Sequence, residues 1–239
     1  MIGLGTIINT AAILAEGLCG GLFGRFLGES AQDTLTKVCG ISTLFIAVSG
    51  ALEQMLAVEN GSIASSGAML VVICLAIGAV IGELLKIENA FERFGEYLKI
   101  KSGNAKDPGF VNAFVTASLT VCIGAMAIVG SIQDGIAGDY SILATKAVLD
   151  LIIIMVMSCS LGRGAVFSAI PVAVFQGSIT ALAGLVRPLM TDAALDNLSL
   201  VGNVLIFCVG INLVWGKKIK VANLLPAILV AVIAAFLPI

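Results

Sequence analysis

The sequence contains no histidine and has unusually few charged residues. Of its 239 residues, 12% are charged and 59% are hydrophobic, and the mean hydropathy is +1.11. A soluble domain has about 25% charged residues, roughly twice this share. Because an exterior so poor in charge suits lipid better than water, we predict an integral membrane protein whose main partner is the lipid bilayer.

Several kinds of chemistry are also missing from the sequence. The six cysteines include no CxxC pair, and with no histidine present a metal site of soft ligands is disfavoured. There is no GxSxG, HExxH or P-loop motif, so we expect neither an enzyme nor a cofactor. A net charge of -2 with no basic stripe argues against a nucleic-acid partner. The first apolar run is preceded by no Lys or Arg, so we interpret it as a membrane helix and not as a signal peptide.

Long apolar runs are what the sequence has in abundance. A membrane-spanning helix needs about 20 largely apolar residues. Eight runs meet this need and are numbered here as spans one to eight: Ile2–Gly24, Val38–Leu56, Ser66–Leu85, Phe110–Ser131, Ser141–Leu161, Gly164–Val186, Leu198–Gly216 and Ile219–Leu237. The sequence therefore predicts an all-α, polytopic membrane protein that forms a single membrane domain over residues 1–239.

The basic residues alternate between the two sides of these spans. Eleven of the 13 Lys and Arg residues fall in the turns after spans one, three, five and seven. Since cytoplasmic loops are rich in Lys and Arg, the odd-numbered turns are predicted to be cytoplasmic and both termini external. Residues 86–108 form the one sizeable polar loop, and their helical spacing of apolar residues predicts an amphipathic surface helix, either a connector or a regulatory arm.

A faint repeat relates residues 1–85 to residues 164–239. At a constant offset, Arg25 matches Arg187 and Gly40 matches Gly202, although the glycines at 20 and 24 have no counterpart. Five spans separate equivalent helices, so the second copy would be inverted in the membrane, as in many transporters. Gly17, Gly20, Gly21 and Gly24 form a small-residue face that serves either a dimer contact or an internal one. Separately, we expect the protein to be a homodimer.

Polar residues cluster at membrane depth between residues 124 and 181. Lys146 and Asp150 are four residues apart in span five, so they share one helix face and can pair. At 1.5 Å per residue they lie about 8 and 14 Å from the external end. An ion at that depth needs a partner or water, so the pair is either a structural lock or an ion site facing a hydrated cavity.

Span six carries Gln176 and Ser178 near its midpoint, and Pro171 one to two turns earlier predicts a kink or break there. Broken helices at mid-membrane are typical of transporter binding sites, whereas interhelical hydrogen bonding is the structural alternative.

Other polar residues are candidates for the same site. Gln133, Asp134 and Asp139 lie in the external link before span five. Either Asp139 or Ser141 caps that span, or Asp134 and Asp139 form an acidic mouth that favours cations. Asn9, Thr10 and Asn203 fall at the same depth as Lys146. Glu16 is the other deep acid, as a helix-contact residue or a titrating carboxyl group.

Four segments together resemble the DUF554 family of uncharacterised bacterial inner-membrane proteins. They are MIGLGTIINTAAIL, GAMAIVGSIQDGIAGDYSILATKAVLD, FSAIPVAVFQGSITALA and VGNVLIFCVGINLVWGKKIKVANLLPAIL. The resemblance covers nearly the whole chain and implies a location in the bacterial inner membrane. The family pattern has Gly in place of Glu16 and Pro in place of Ala125, which implies no role for Glu16 and no Pro-based break in span four.

Two functional hypotheses follow. The first is a secondary transporter or channel-like protein for a small solute or ion, in which Asp150 binds or titrates, Lys146 is its partner, and the candidate neutral ligands are Gln176, Ser178, Asn203 and Asn9. Gln133 and Asp134 are further candidate ligands, and Asp134 with Asp139 would form an acidic mouth. The second is a membrane scaffold or sensor subunit that transports nothing and has a dry interior around Lys146.

Overall fold

A computed structural model describes residues 1–59 and 62–237, which are mostly α-helical. The α-helices, numbered α1 to α11 in chain order, are Leu4–Phe23, Glu29–Met55, Ala68–Leu85, Ile87–Lys101, Phe110–Cys122, Ala125–Ala137, Ser141–Leu161, Ala169–Ala181, Ala183–Val186, Asp192–Trp215 and Pro226–Ala234. Short 3-10 segments occupy Gly24–Phe26, Arg163–Ser168, Arg187–Leu189 and Val221–Leu224. The predicted all-α, polytopic architecture is confirmed.

Six helical segments are long and apolar enough to cross a bilayer. They are Leu4–Phe23, Glu29–Met55, Ala68–Leu85, Ser141–Leu161, Arg163–Ala181 and Asp192–Trp215. A bent helix pair raises the number to seven, and Val221–Ala234 is a shorter apolar segment. The described part of the chain thus has six or seven full-length spans, and the number eight stays a prediction.

One small element was not predicted from the sequence. Strands β1 (Leu56–Glu59) and β2 (Ser62–Ser65) pair antiparallel between α2 and α3, with Leu56 opposite Ser65. Turn residues follow span two in the sequence, but strands this short leave no periodic signal that distinguishes them from a loop.

The chain forms two compact units, each assembled from separate stretches of sequence. The first unit comprises Met1–Cys39, Asn89–Cys122 and Met126–Val186, and the second comprises Gly40–Glu88, Ile123–Ala125 and Arg187–Ile239. The first unit therefore holds α1, most of α4, and α5 to α9, whereas the second holds most of α2, α3, α10 and α11.

Span four is broken where a continuous helix was predicted. Helices α5 and α6 meet at an angle of 64°, and Gly124 between them has φ 142°, which side-chain-bearing residues rarely adopt. The break needs no proline, because Gly124 alone supplies the unusual backbone conformation.

The bent pair crosses the whole first unit. Helix α5 follows Gly109, which lies against the Leu161 carbonyl at the end of α7, and α6 ends at Ala137, just before α7 begins. The two ends of the pair are thus separated by the 21 residues of α7, which measure about 31 Å at 1.5 Å per residue. This length matches a hydrocarbon core of about 30 Å, which is the distance that a broken span has to cover.

Span six begins as a 3-10 segment and becomes α-helical at Ala169. Pro171 therefore lies in the first turn of α8, where its missing N–H costs no hydrogen bond. Among the described residues, the sharp bend lies in span four. The irregular part of span six is its first two turns, which are 3-10, and not the neighbourhood of Gln176.

The first unit is built on close packing of α1 against α7. A Cβ on Gly5 would meet the side chain of Leu143, and one on Gly24 would meet the backbone of Cys159. The residue numbers at these contacts rise together along both helices, so α1 and α7 run parallel. Gly17 faces Val166 and Gly20 faces Met155 and Ser158, so the small-residue face of α1 makes an internal contact.

The second unit pairs antiparallel helices through glycines. Gly40 lies against Val214, and Gly50 lies against Asn203, so α2 and α10 run in opposite directions. Helices α3 and α11 also run in opposite directions, because Gly78 lies against Ala227 and Gly82 lies against the Asn223 backbone.

A polar network closes one end of the second unit. The buried Glu88 carboxylate accepts a hydrogen bond from the Ala222 N–H at 3.0 Å and pairs with Lys217 at 2.7 Å. The Glu88 N–H donates to Asn223 Oδ1 at 2.7 Å, and Asn223 Nδ2 donates to Glu83. This network fixes the start of α4 to the segment before α11.

Helix α4 covers much of the polar loop 86–108. In the first unit its Phe94 ring packs edge-on against Phe114 of α5, with centroids 5.8 Å apart. Tyr97 and Ile100 stay exposed on the same helix, beside Lys99 and Lys101. The helix thus has one apolar contact with the first unit and a mixed apolar and basic outer surface.

Candidate functional site

An ion pair lies inside the first unit. Lys146 Nζ and Asp150 Oδ2 of α7 are 2.5 Å apart, and both side chains are more than nine-tenths buried. The pair follows directly from the spacing of four residues, which places both side chains on the helix face that packs against α1. A buried pair of this kind is costly unless further hydrogen bonds satisfy its remaining donors and acceptors.

Helix α1 brings polar side chains to this pair. Its inward face carries Asn9, Ile13 and Glu16, all of which are buried. The Asn9 side chain approaches the Asp150 carboxylate, and Glu16 lies within electrostatic range of both Asp150 and Lys146. Because α1 and α7 run parallel, these residues of neighbouring helices lie at similar depth.

Helix α5 supplies a cysteine at the edge of this group. Cys122, the last residue of α5 before the break, is partly buried and lies within electrostatic range of Lys146 and Asp150. Helix α5 thus ends within electrostatic range of the ion pair.

Span six adds an amide to the same region. Gln176 of α8 is fully buried, and one turn later Thr180 shares a hydrogen bond of 3.2 Å with Thr6 of α1. Thr6 contacts Thr180, whereas Gly17 contacts Val166, so α1 and α8 run antiparallel. This arrangement brings Gln176 to about the level of Asn9 on α1.

Several buried polar atoms in this region have no hydrogen-bond partner. Within the described residues these atoms are Asn9 Oδ1 and Nδ2, Thr10 Oγ1, both Glu16 carboxyl oxygens, Ser158 Oγ, Ser168 Oγ, and Gln176 Oε1 and Nε2. Every one of them belongs to the first unit. Buried polar groups in proteins are almost always hydrogen-bonded, so such a concentration needs an explanation.

The second unit shows the opposite behaviour. There the buried side chains of Glu88 and Asn223 hydrogen-bond to protein groups on both sides. The unpartnered atoms are therefore not a general property of the chain, and they mark the seam between α1, α7 and α8 as the candidate site.

Three predicted site residues lie elsewhere. Ser178 is exposed on α8 and donates to its own helix at the Phe175 carbonyl, 2.8 Å away. Gln133 is exposed on α6. Asn203 belongs to the second unit, where its amide donates to the Ser199 carbonyl of α10 at 2.8 Å and faces Gly50. The geometry thus gives these three no place on the seam.

Asp134 has a well-defined structural position. Its buried carboxylate accepts hydrogen bonds from the backbone N–H groups of Gly3, Gly5 and Thr6, at 3.1, 3.0 and 3.4 Å. These are the donors that a helix N-terminus leaves free, so Asp134 caps α1 from another helix. Its oxygens are thereby engaged at the start of α1, a role that was not predicted from the sequence.

Asp139 caps the start of α7. Its Oδ1 accepts from the Ser141 N–H at 3.0 Å, and this hydrogen bond, with a further one from the Ser141 side chain, holds the pKa of the exposed carboxyl group below its ordinary value.

Glu16 has a more central position than its sequence context predicts. The family resemblance places Gly at this position, and the glycine-rich surroundings favour a simple helix contact. A periodicity argument could have found it, because Thr6, Asn9, Ile13, Glu16 and Gly20 share one face of α1. Ser158 and Ser168 had no such signal, because serines are ordinary in membrane helices.

Comparison with known proteins identifies a family whose description names no activity. A family model described as "Protein of unknown function (DUF554)" matches residues 4–236. "Uncharacterized membrane protein YdfK" of Bacillus subtilis (strain 168) is 29% identical over 97% of this chain and 95% of its own length. "Uncharacterized protein YqgA" of Escherichia coli (strain K12) is 28% identical, over 95% of this chain and 94% of its own. No solved structure matches at a significant level.

Proposed function

Because the chain belongs to the DUF554 family, whose name carries no activity, we propose a function from the site alone: a secondary transporter or channel-like protein that moves a small solute or ion across the bacterial inner membrane. The solute binds on the seam between α1, α7 and α8 in the first unit. Asp150 and Lys146 are its charged ligands, and Gln176 and Asn9 are neutral ones.

The observation that carries this proposal is the group of unpartnered polar atoms around a buried ion pair. Lipid cannot hydrogen-bond to these atoms, and leaving a polar group unpaired away from water costs roughly 1–3 kcal/mol. A structural ion pair alone would not require the unpartnered amide of Gln176 in the same unit. A site that water and solute occupy in turn accounts for both features.

The broken span supports the same proposal. Discontinuous helices in transporters place irregular backbone next to the bound solute or ion. Here α5 ends at Cys122, which lies within electrostatic range of Lys146 and Asp150, and the backbone break at Gly124 comes two residues later in the chain.

We further propose that both termini are external and that the two repeat segments are inverted. Helices α1 and α7 run parallel, and α1 and α8 antiparallel, as the alternation of basic residues requires. The repeat pairs spans one with six, two with seven and three with eight. Each of these pairs packs antiparallel within one unit, as inverted copies must.

The test is flux through the purified protein in proteoliposomes loaded with a pH-sensitive dye. Gradients of protons, sodium and potassium are applied with and without a panel of small solutes. Gln176→Leu keeps the volume of the side chain and removes its amide, whereas Ser178→Ala alters an exposed hydroxyl on the same helix and is the matched control. We expect flux to fall at least tenfold in Gln176→Leu and in Asp150→Asn, and to be unchanged in Ser178→Ala.

Stability separates transport from the scaffold alternative. In a dry interior, replacing the unpaired Gln176 amide by Leu raises the apparent melting temperature, because the desolvation cost is removed. A stabilised Gln176→Leu protein, together with a wild type that moves no ion or solute, would reject transport and favour the scaffold or sensor.

A further inference from the structure

Glu16 lies at the centre of α1 with no protein group to satisfy it. Its side chain is 4% exposed, and neither carboxyl oxygen has a hydrogen-bond partner in the described part of the chain. Twelve residues separate it from Leu4, the first residue of α1, which corresponds to about 18 Å along the axis. The carboxyl group therefore lies near the middle of the bilayer.

The charges around Glu16 do not balance if every group is ionised. Among the residues whose side chains the structure describes, Lys146 and Asp150 of α7 are the charged groups within electrostatic range of it, and α8 carries no charged residue. Arg163, in the 3-10 segment that also packs on α1, lies beside Gly21, more than a turn away along α1. One ammonium group thus serves two carboxyl groups, and it is already 2.5 Å from Asp150.

We propose that Glu16 carries an exchangeable proton and that this proton is the ion to which the transport site is coupled. An isolated carboxylate at this depth costs several kcal/mol. Two carboxyl groups that share one positive charge hold one proton between them. The inference rests on the transport function proposed above, and it adds the coupling ion and a residue outside the ligand set.

A proton suits this group of residues better than a metal cation does. Calcium takes six to eight oxygen ligands and magnesium requires six in octahedral geometry. Close to Glu16 the seam offers two carboxyl groups and, at the same level on the antiparallel segment, the Ser168 hydroxyl, with an ammonium group among them. The ammonium group of Lys146 would repel a bound metal ion, whereas a proton needs a single oxygen.

The exchange keeps charge and atoms balanced. In the first state Lys146 pairs with Asp150, and Glu16 is neutral. When Asp150 takes up a proton from water, Lys146 is released and pairs with Glu16, which gives its own proton to water. One proton enters and one leaves, no bond other than O–H forms or breaks, and the net charge of the group is unchanged.

Infrared difference spectroscopy of the full-length protein in lipid tests the proposal directly. A neutral carboxylic acid has a carbonyl stretch distinct from that of a carboxylate, and replacing H2O by D2O shifts this band for a carboxyl group that exchanges its proton with water. We expect a buried carboxylic-acid band in the wild type that is lost in Glu16→Gln and kept, at a shifted position, in Glu16→Asp. Glu29→Gln, at an exposed site in α2, is the matched control and should keep the band.

The outcomes separate this inference from the transport function. A wild type without the band, or a band that survives in Glu16→Gln, would overturn the role of Glu16. If the wild type transports and Glu16→Gln loses proton dependence, the inference is supported. If it transports and Glu16→Gln retains proton dependence, the inference alone is rejected. If the band is lost as expected but the wild type moves no ion or solute, the transport function is rejected and the protonation of Glu16 stands.

Discussion

At the scale of single residues, two buried acids illustrate opposite solutions to the cost of burial. Asp134 is satisfied by three backbone N–H groups of another helix. Asp150 has one ammonium partner and a nearby amide. In the first arrangement the three N–H groups engage the Asp134 carboxylate, so it has no partner to exchange. The second depends on a partner, Lys146, that can pair with another carboxyl group.

Replacing Asp134 by Asn should weaken the N-terminus of α1. The neutral side chain is a poorer acceptor for three N–H groups and loses the favourable interaction with the helix dipole, a loss of about 1–2 kcal/mol. We expect a lower apparent melting temperature in detergent, with no change for Gln133→Ala at the neighbouring exposed position. An unchanged melting temperature with altered cation flux would instead identify Asp134 as part of an acidic mouth.

Helix periodicity alone was enough to predict some residue pairs from the sequence. Lys146 and Asp150 had to share a face because they are four apart. Gln176 and Ser178 were predicted together, but residues two apart lie about 200° around a helix, and the buried Gln176 leaves Ser178 exposed. Asn203 was predicted from its depth, and depth cannot tell which unit a helix joins.

At the scale of helices, Gly124 determines the geometry of span four. A Cβ at this position would meet no atom within 4 Å, so the cost of a larger residue comes from the backbone conformation at φ 142°. We expect Gly124→Ala to destabilise the protein by about 1–3 kcal/mol, as is usual for a residue held in a sparsely populated region.

Gly184 provides the matched control for this substitution. An added methyl group would meet open space there too, but Gly184 lies in the short helix α9 with an ordinary backbone conformation. Gly184→Ala should be neutral or slightly stabilising. Equal melting temperatures for the two variants would show that the break tolerates any residue and is not maintained by Gly124.

The helices themselves followed from apolar run length, but the break did not. Glycine is common in straight membrane helices, so the presence of Gly124 did not by itself predict a break in span four. Pro171 is the stronger breaker by local rules, yet its place in the first turn of α8 removes the effect. Whether a Gly or Pro residue breaks a helix depends on its position within that helix. This position is known only once the helix boundaries are known.

At the scale of the whole molecule, the two units interleave along the chain. Each is assembled from three stretches, so composition shifts along the sequence could not reveal them. The alternation of basic residues carries different information, because it reports the side of the membrane for each turn and is independent of which helices pack together.

Fusions to alkaline phosphatase, which is active outside the cytoplasm, test the membrane topology. We expect an inactive fusion after Lys106, in the basic loop following span three, and an active fusion after the last span. Expression levels of the two fusions are matched by immunoblot. Equal activities would mean an even number of crossings between the two sites, which contradicts the external placement of both termini.

The central claim is that water reaches the ion pair of Lys146 and Asp150, and Cys122 beside it is a native reporter. The measurement is the labelling rate of a protein that retains Cys122 alone, in proteoliposomes, with methyl methanethiosulfonate, which reacts with the hydrated thiolate. A protein that retains only Cys74, fully buried in the second unit, is the control. The account predicts that Cys122 is labelled under native conditions while Cys74 is not; a Cys122 that resists labelling until the protein is denatured would contradict it.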